Sequence, residues 1–314
     1  MHGGLRQAAE RQGLWAALTL PGTIWLILLF LVPFYAIAAV AFGGFDPILL
    51  RSLPRWNPLD WQFGAANEVV DQIFGGSLQD VFLRTFVYVG LAMLLCFAIG
   101  YPVAYFLARH AGRWRGVLLV CLVLPFWVSY LMRMLAWVNL LNPDGGWASR
   151  ALNTLHAPEL FELLGLGDGS EVWFGQPVTV VLGLVYGYIP FFILPLYASL
   201  DRLDGRLLDA ARDLGASGRS TFLRVTLPLS VPGILAAAVI TALPMFGDYY
   251  TNTILSGSPR TEMIGNQIEA YTRTTEPQRG AVLVLILSGL LLVLMAYYLV
   301  LTMRATREAR EARA

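Results

Sequence analysis

One carboxylate stands in an apolar setting. Asp248 follows Gly247 at the end of a long uncharged run, flanked by Phe246, Tyr249 and Tyr250. A carboxylate among aromatic faces suits an organic cation, because the fixed charge and the ring quadrupoles attract the same partner. A charge at the centre of a membrane helix costs about 2.5–3.5 kcal/mol unless it faces protein or water. At about 1.5 Å per residue counted from Leu229, Asp248 falls near one end of its helix rather than at the middle. It reads equally as an interfacial residue marking the water boundary. A second aromatic group, Phe126, Trp127 and Tyr130, follows Pro125 and precedes Arg133. That group is either packing or a pathway lining. Arg133 also lies near the end of its run, so its side chain is expected to snorkel to the interface. Asp248, Tyr249, Trp127 and Tyr130 are the candidate pathway residues.

Several catalytic chemistries are excluded by what the chain lacks. Every basic residue among the 22 is arginine. A phosphate-binding P-loop needs its lysine, so this chain cannot hold ATP in that way. A lysine Schiff base is equally impossible. His2, His110 and His156 fall outside the apolar runs, and Asp248 has no second carboxylate in a facing run. Neither a serine nor an aspartyl intramembrane protease fits. Cys96 and Cys121 sit inside apolar stretches and read as small hydrophobes. No spacing suits a metal, so neither catalytic, metal-binding nor cofactor-binding residues are expected. A formal net charge of +1 gives no basic field for nucleic acid.

The elements that position these residues are membrane helices. Of 314 residues, 57% are hydrophobic and 14% charged, against about 25% charged in soluble domains. Mean hydropathy is +0.61. Spans of about 20 apolar residues are expected near Leu14–Phe42, Phe86–Ala108, Gly116–Leu141, Val178–Ser199, Leu229–Tyr250 and Ala281–Thr302. The first run is longer than the roughly 7–15 residues of a signal-peptide core, which favours an uncleaved span. Pro21, Pro33, Pro102, Pro125, Pro190, Pro195, Pro232 and Pro244 lie within spans. Kinked helices of this kind fit a transporter or channel, although prolines are common in membrane helices generally.

Arginine placement sets the expected orientation. Residues 1–13, the loop holding Arg109, Arg113 and Arg115, the loop from Asp201 to Arg224 and the tail 304–314 hold about twice as many arginines as the three longer loops between them. The positive-inside rule then puts both termini in the cytoplasm. In the first long loop the apolar spacing over Ala65–Phe82 predicts a surface helix. In the loop Asn142–Gln176, Gly145-Gly146 and Gly165-Leu166-Gly167 predict turns.

The loop between the fourth and fifth spans carries the most pattern. Leu203, Leu207, Ala210, Ala211 and Leu214 share one helical face, Gly215 breaks it, and a second short helix over Ser220–Val225 runs to Leu227-Pro228. Such a helix–turn–helix either packs on its own bundle or offers its apolar side to a partner groove.

Asp209-Ala210-Ala211, then Gly215, Val225 and Leu227-Pro228 at their observed spacing, resemble the EAA loop of ATP-binding-cassette import permeases. Asp209 stands where the family has Glu, and Val225 where it has Ile. Leu124-Pro125-Phe126-Trp127, Gly183-Leu184-Val185-Tyr186, Ile189-Pro190-Phe191, Leu194-Pro195-Leu196-Tyr197, Ala210–Ser217 and Ile264-Gly265-Asn266 are similar to the spermidine/putrescine permease branch. The resemblance covers nearly the whole chain. It implies an all-α polytopic protein of six transmembrane helices with the type I importer permease fold. The permease domain would be 14–303, with the coupling loop at 201–228. A second homologous permease, two ATPase subunits binding ATP-Mg, and an extracytoplasmic substrate-binding protein are the implied partners, within a bacterial inner membrane. Asp209, Ala210, Ala211 and Gly215 would couple to the ATPases. Polyamine is the implied cargo, with ferric iron, thiamine or another small solute as alternatives. An autonomous channel or ion-driven carrier fits less well, since neither paired intramembrane charges nor an internal repeat is found.

Overall fold

The computed structural model describes residues 2–46, 51–274 and 276–311. Met1 and the last three residues of the expected tail lie outside the described residues. Helices dominate. Among the described residues, five are long and apolar enough to cross a membrane: Leu18–Ala41, Gln79–Arg109, Pro177–Asp201, Gly218–Phe246 and Pro277–Val300. Two further pieces, Gly112–Trp127 and Tyr130–Leu140, pass the same test together and are bent by 88° at their junction; counted as one broken span, they bring the crossings to six.

That bend departs from the continuous third span expected from the apolar run. Leu124–Trp127 tightens into a 3₁₀ turn with Pro125 near its start, and Val128 and Ser129 then run extended before the helix resumes at Tyr130. Proline cannot donate to the helical ladder, and a 3₁₀ turn commonly ends such a helix. The other prolines leave their helices unbroken. The fifth span ends at Phe246, and Gly247–Tyr249 form a break before the short helix Tyr250–Leu255.

Two compact units divide the chain. The first comprises residues 1–71 and 270–287. The helix His2–Ala41 leads into an antiparallel hairpin, Gly44–Asp46 with Arg51–Leu53, in which Gly44 faces Leu53. Rings pin this hairpin region. Phe42 packs on Trp61 and Phe63 at 4.9 Å each, and the Trp61 indole donates to the Arg55 carbonyl at 2.9 Å. Arg279 pairs with both Glu68 and Glu276 at 2.8 Å.

The second unit, residues 72–269 and 288–314, holds the candidate site. Its centre is the helix Pro177–Asp201, which packs against both Gln79–Arg109 and Leu227–Phe246. Burial follows this position: 61% of its most apolar stretch is inside the protein, against 28% for Gln79–Arg109. The loop between the third and fourth spans contains two short helices, Trp147–Thr154 and Ala157–Leu163, where only turns were expected. Trp173, Leu141 and Val178 form a small core beneath them. The surface helix expected over Ala65–Phe82 is interrupted: one helix ends at Gly75, and the next begins at Gln79.

Candidate functional site

Two places in the second unit carry chemistry, and each is built by a helix break. The first is the loop after the fourth span. Asp204 caps the helix Gly205–Asp213 by accepting from the Arg206 N–H at 3.0 Å. The helix ends as Gly215 turns left-handed at φ +83°. Its N–H donates to the Arg212 carbonyl at 2.8 Å, and the Ala216 N–H to the Ala211 carbonyl at 3.0 Å. A side chain with a Cβ is disfavoured in that conformation, so glycine is the fitting residue. Ser217 then caps the turn Gly218–Thr221 by accepting from the Ser220 N–H. A π-helical turn, Phe222–Thr226, joins this to the fifth span without a gap.

Leu207, Asp209, Ala210 and Leu214 are exposed, while Leu208 and Ala211 are half-buried. The apolar face of the helix is therefore open along Leu207 and Leu214, and Leu214 is 90% exposed. Leu203 lies before the helix begins. Asp209 and Arg212 form a loose pair at 3.7 Å on the same exposed side. The root of the loop is firmly tied. Arg109 donates to the Leu200 and Leu203 carbonyls at 3.0 and 2.8 Å, and Arg115 binds Asp201 through two bonds of 2.7 and 2.9 Å.

The second place surrounds Asp248, at the far end of the fifth span. Its carboxylate is turned inward and only 6% exposed. Oδ2 accepts from the Tyr130 hydroxyl at 3.0 Å and from the Thr251 hydroxyl at 2.5 Å, and Oδ1 accepts from the Thr251 N–H at 3.0 Å. The two hydroxyl oxygens also lie against each other, each with its one proton given to the carboxylate. Tyr188 faces the same carboxylate. The aromatic surround thus comes from the bent third span and from the fourth span. Tyr249 and Tyr250, expected to flank the charge, instead stack on each other at 4.1 Å.

Gly187 allows this arrangement. A Cβ there would stand 2.8 Å from the Tyr130 ring, so the absence of a side chain lets that ring reach the carboxylate. Beyond the break, Asn252, Thr261 and Asn266 form a buried network. Thr261 Oγ1 donates to Asn252 Oδ1 at 2.7 Å, and Asn252 Nδ2 donates to Asn266 Oδ1 at 3.2 Å. Asn266 holds the Met263 N–H at 3.0 Å and donates to the Tyr249 carbonyl at 3.1 Å. This network fixes the backbone that follows Asp248.

Arg133 does not snorkel. It is 9% exposed, and its guanidinium carbon lies 4.1 Å from the Phe126 ring centre, 5.4 Å from Tyr130 and 5.7 Å from Tyr186. The bend in the third span turns Tyr130–Leu140 back, carrying Arg133 inward with it. Trp127, by contrast, is 83% exposed and lines an apolar surface groove with Leu119, Val120, Val123 and Leu124. Of the four candidate pathway residues, Asp248 and Tyr130 meet. Tyr249 adjoins Asp248 along the chain, and Trp127 faces away. Tyr186, Tyr188 and Thr251 were not foreseen in this role. Tyr186-Gly187-Tyr188, two rings about a glycine opposite a proline break, is the signal that would have pointed to them.

Comparison with known proteins assigns the class. The family described as "Binding-protein-dependent transport system inner membrane component" matches residues 99–305. The chain is 33% identical over 246 residues to the spermidine/putrescine transport system permease protein PotB of Haemophilus influenzae, covering 78% of this chain and 79% of that protein. PotB of Escherichia coli K12 is 37% identical over 179 residues, 57% of this chain and 61% of that one. Among solved structures, a chain of a bacterial ABC transporter for the acidic polysaccharide alginate superposes with a TM-score of 0.67 at 18% identity. That match covers 96% of this chain and 98% of the other, which fixes the fold.

Proposed function

We propose that this chain, which belongs to the binding-protein-dependent transport system inner membrane component family, carries polyamines inward as the permease subunit of an ATP-driven importer. The observation that carries the cargo assignment is the similarity to spermidine/putrescine permeases over 246 residues. The buried Asp248 carboxylate between Tyr130 and Tyr188 supports it, because that chemistry suits an ammonium group. Both termini and the Gly205–Asp213 helix face the cytoplasm in this reading, in keeping with the arginine distribution.

The coupling loop supplies the mechanism. Asp209, Ala210 and Ala211 lie on the helix that docks to an ATPase subunit, and Gly215 sets its exit angle. The exposed Leu207 and Leu214 are the apolar contacts such a docked helix offers. ATP-Mg is bound and hydrolysed by partner ATPase subunits, a second homologous permease completes the pathway, and a binding protein delivers the cargo. Movement of the loop passes directly into the fifth span and so to Asp248. Trp127 belongs to the lipid-facing or permease-facing surface in this reading, and Tyr249 to the rim of the pathway.

The test is uptake by the complete importer in proteoliposomes, with its ATPase, its second permease and its binding protein. ATP-dependent accumulation of labelled spermidine or putrescine is expected. Accumulation of ferric iron or thiamine with none of polyamine overturns the cargo assignment and leaves the class intact.

A further inference from the structure

A buried arginine with two unbonded nitrogens is unusual. Arg133 Nε and Nη1 are both buried and bond to nothing in the protein. Buried charges are ordinarily paired or fully hydrogen-bonded, since lost hydration is otherwise not replaced. What surrounds this guanidinium is instead three aromatic faces from two spans: Phe126 and Tyr130 on the bent third, and Tyr186 on the fourth. One wall of that cage, Tyr130, is the residue whose hydroxyl donates to the Asp248 carboxylate. Trp137 packs edge-on against Tyr186 and closes the back. The cage and the carboxylate therefore form one electronegative recess spanning a single tyrosine ring.

We propose that this cage is an ammonium subsite of the transport path, and that Arg133 is a tethered cation holding the cargo's place in it. The proposal rests on the polyamine reading given above. Its physical basis is an exchange without net change of buried charge. An arriving primary ammonium takes the aromatic faces and the Asp248 field. Arg133 swings out on its flexible stem toward the interface, and its Nε and Nη1 groups regain water. The two unbonded nitrogens, with three N–H groups between them, make the arginine a weak occupant, as a displaceable one must be. A cage left vacant beside a buried carboxylate would be disfavoured, so the tethered cation stabilises the cargo-free state. Uptake then selects for cargo that outcompetes a guanidinium for aromatic faces, which favours cations over neutral solutes of equal size.

Chemical rescue tests this in the complete importer. Cys96 is buried and Cys121 exposed, so Arg133→Cys is built on a Cys121→Ser background. Aminoethyl methanethiosulfonate puts a tethered ammonium back at position 133, and ethyl methanethiosulfonate adds a neutral chain of similar size. The KM for spermidine uptake is expected to fall about tenfold when the tethered charge is removed. It should return toward the parental value with the ammonium reagent and stay low with the ethyl reagent. The thermal midpoint, measured without cargo, should rise with the ammonium reagent alone. Equal effects of the two reagents on both readouts overturn the proposal, as does a thiol at position 133 that neither reagent reaches during turnover. A parental importer that takes up no spermidine, yet shows the charge-dependent midpoint, rejects the polyamine reading and keeps the cage. If Arg133→Cys does not assemble, Arg133→Lys and Arg133→Gln decide the matter. Lys should keep the parental KM and Gln should lower it, and identical values overturn the subsite.

Discussion

Asp248→Asn separates charge from shape. The carboxylate accepts three hydrogen bonds, from the Tyr130 and Thr251 hydroxyls and the Thr251 N–H. Hydrogen bonds to a charged group contribute about 1.5–3 kcal/mol each, against about 0.5–1.5 for neutral ones. In Asn one oxygen becomes an NH2 that cannot accept, so the two hydroxyls must turn to accept from it while the remaining oxygen keeps the Thr251 N–H, at a cost of about 3 kcal/mol gross. Removing a buried charge returns a desolvation penalty of several kcal/mol. The two effects oppose, so the assembled complex should change its stability by no more than about 2 kcal/mol. Transport has no such compensation. Loss of one carboxylate–ammonium contact of about 2–3 kcal/mol lowers kcat/KM for polyamine roughly 30- to 150-fold. Uptake into proteoliposomes gives the ratio, and the cargo-free ATPase rate and thermal midpoint of the same preparation give the control. Parental kcat/KM in an assembled Asn variant would refute a pathway role and leave Asp248 as a local acceptor for the Thr251 N–H at the start of the helix Tyr250–Leu255. A collapse of the thermal midpoint that tracks the loss of uptake would refute the compensation argument.

Gly215→Val forces a β-branched residue to φ +83° and should cost about 1–3 kcal/mol locally; co-purification of the ATPase should fall, and normal co-purification with normal uptake contradicts the coupling role. Single cysteines at Ser217 and Ser258, with Cys121 replaced, report topology. An impermeant reagent on intact cells should label position 258 and not 217, and the reverse pattern inverts the assigned orientation. Gly187→Ala places a Cβ 2.8 Å from the Tyr130 ring; overpacking of about 1–3 kcal/mol should lower the thermal midpoint and push Tyr130 off Asp248, and an unchanged midpoint with unchanged uptake would show the ring free to shift.

The crossings were legible because about 20 apolar residues in a row admit few other structures. Gly215 was legible too, since a glycine that ends a periodic helix before a second one points to a left-handed turn. The bend at Val128–Ser129 was hidden for the opposite reason: apolarity runs straight through it, and Pro125 was one proline among eight candidates. Without that bend, counting along a straight helix sends Arg133 to the interface. Asp248 was found by its charge, but its partners lie 118 residues upstream in Tyr130 and three downstream in Thr251. No local periodicity joins a tyrosine in one span to a carboxylate in another. The helices Trp147–Thr154 and Ala157–Leu163 escaped because two turns of helix carry too little periodicity to stand out from the glycines around them.

The unbroken run from Gly218 to Phe246 has 29 residues, a rod of about 43 Å at 1.5 Å per residue. It starts just after the left-handed turn at Gly215 and stops just before Asp248. Such a rod acts as a lever whose two ends cannot move independently. A tilt of about 10° about its loop end displaces the other end by about 7 Å, more than one helical turn. The π-helical turn Phe222–Thr226 lies within the first turns after the loop, so the extra residue in its ladder marks the loop end about which the rod tilts. A movement too small to unfold the helix Gly205–Asp213 is therefore large enough to carry a carboxylate out of reach of Tyr130.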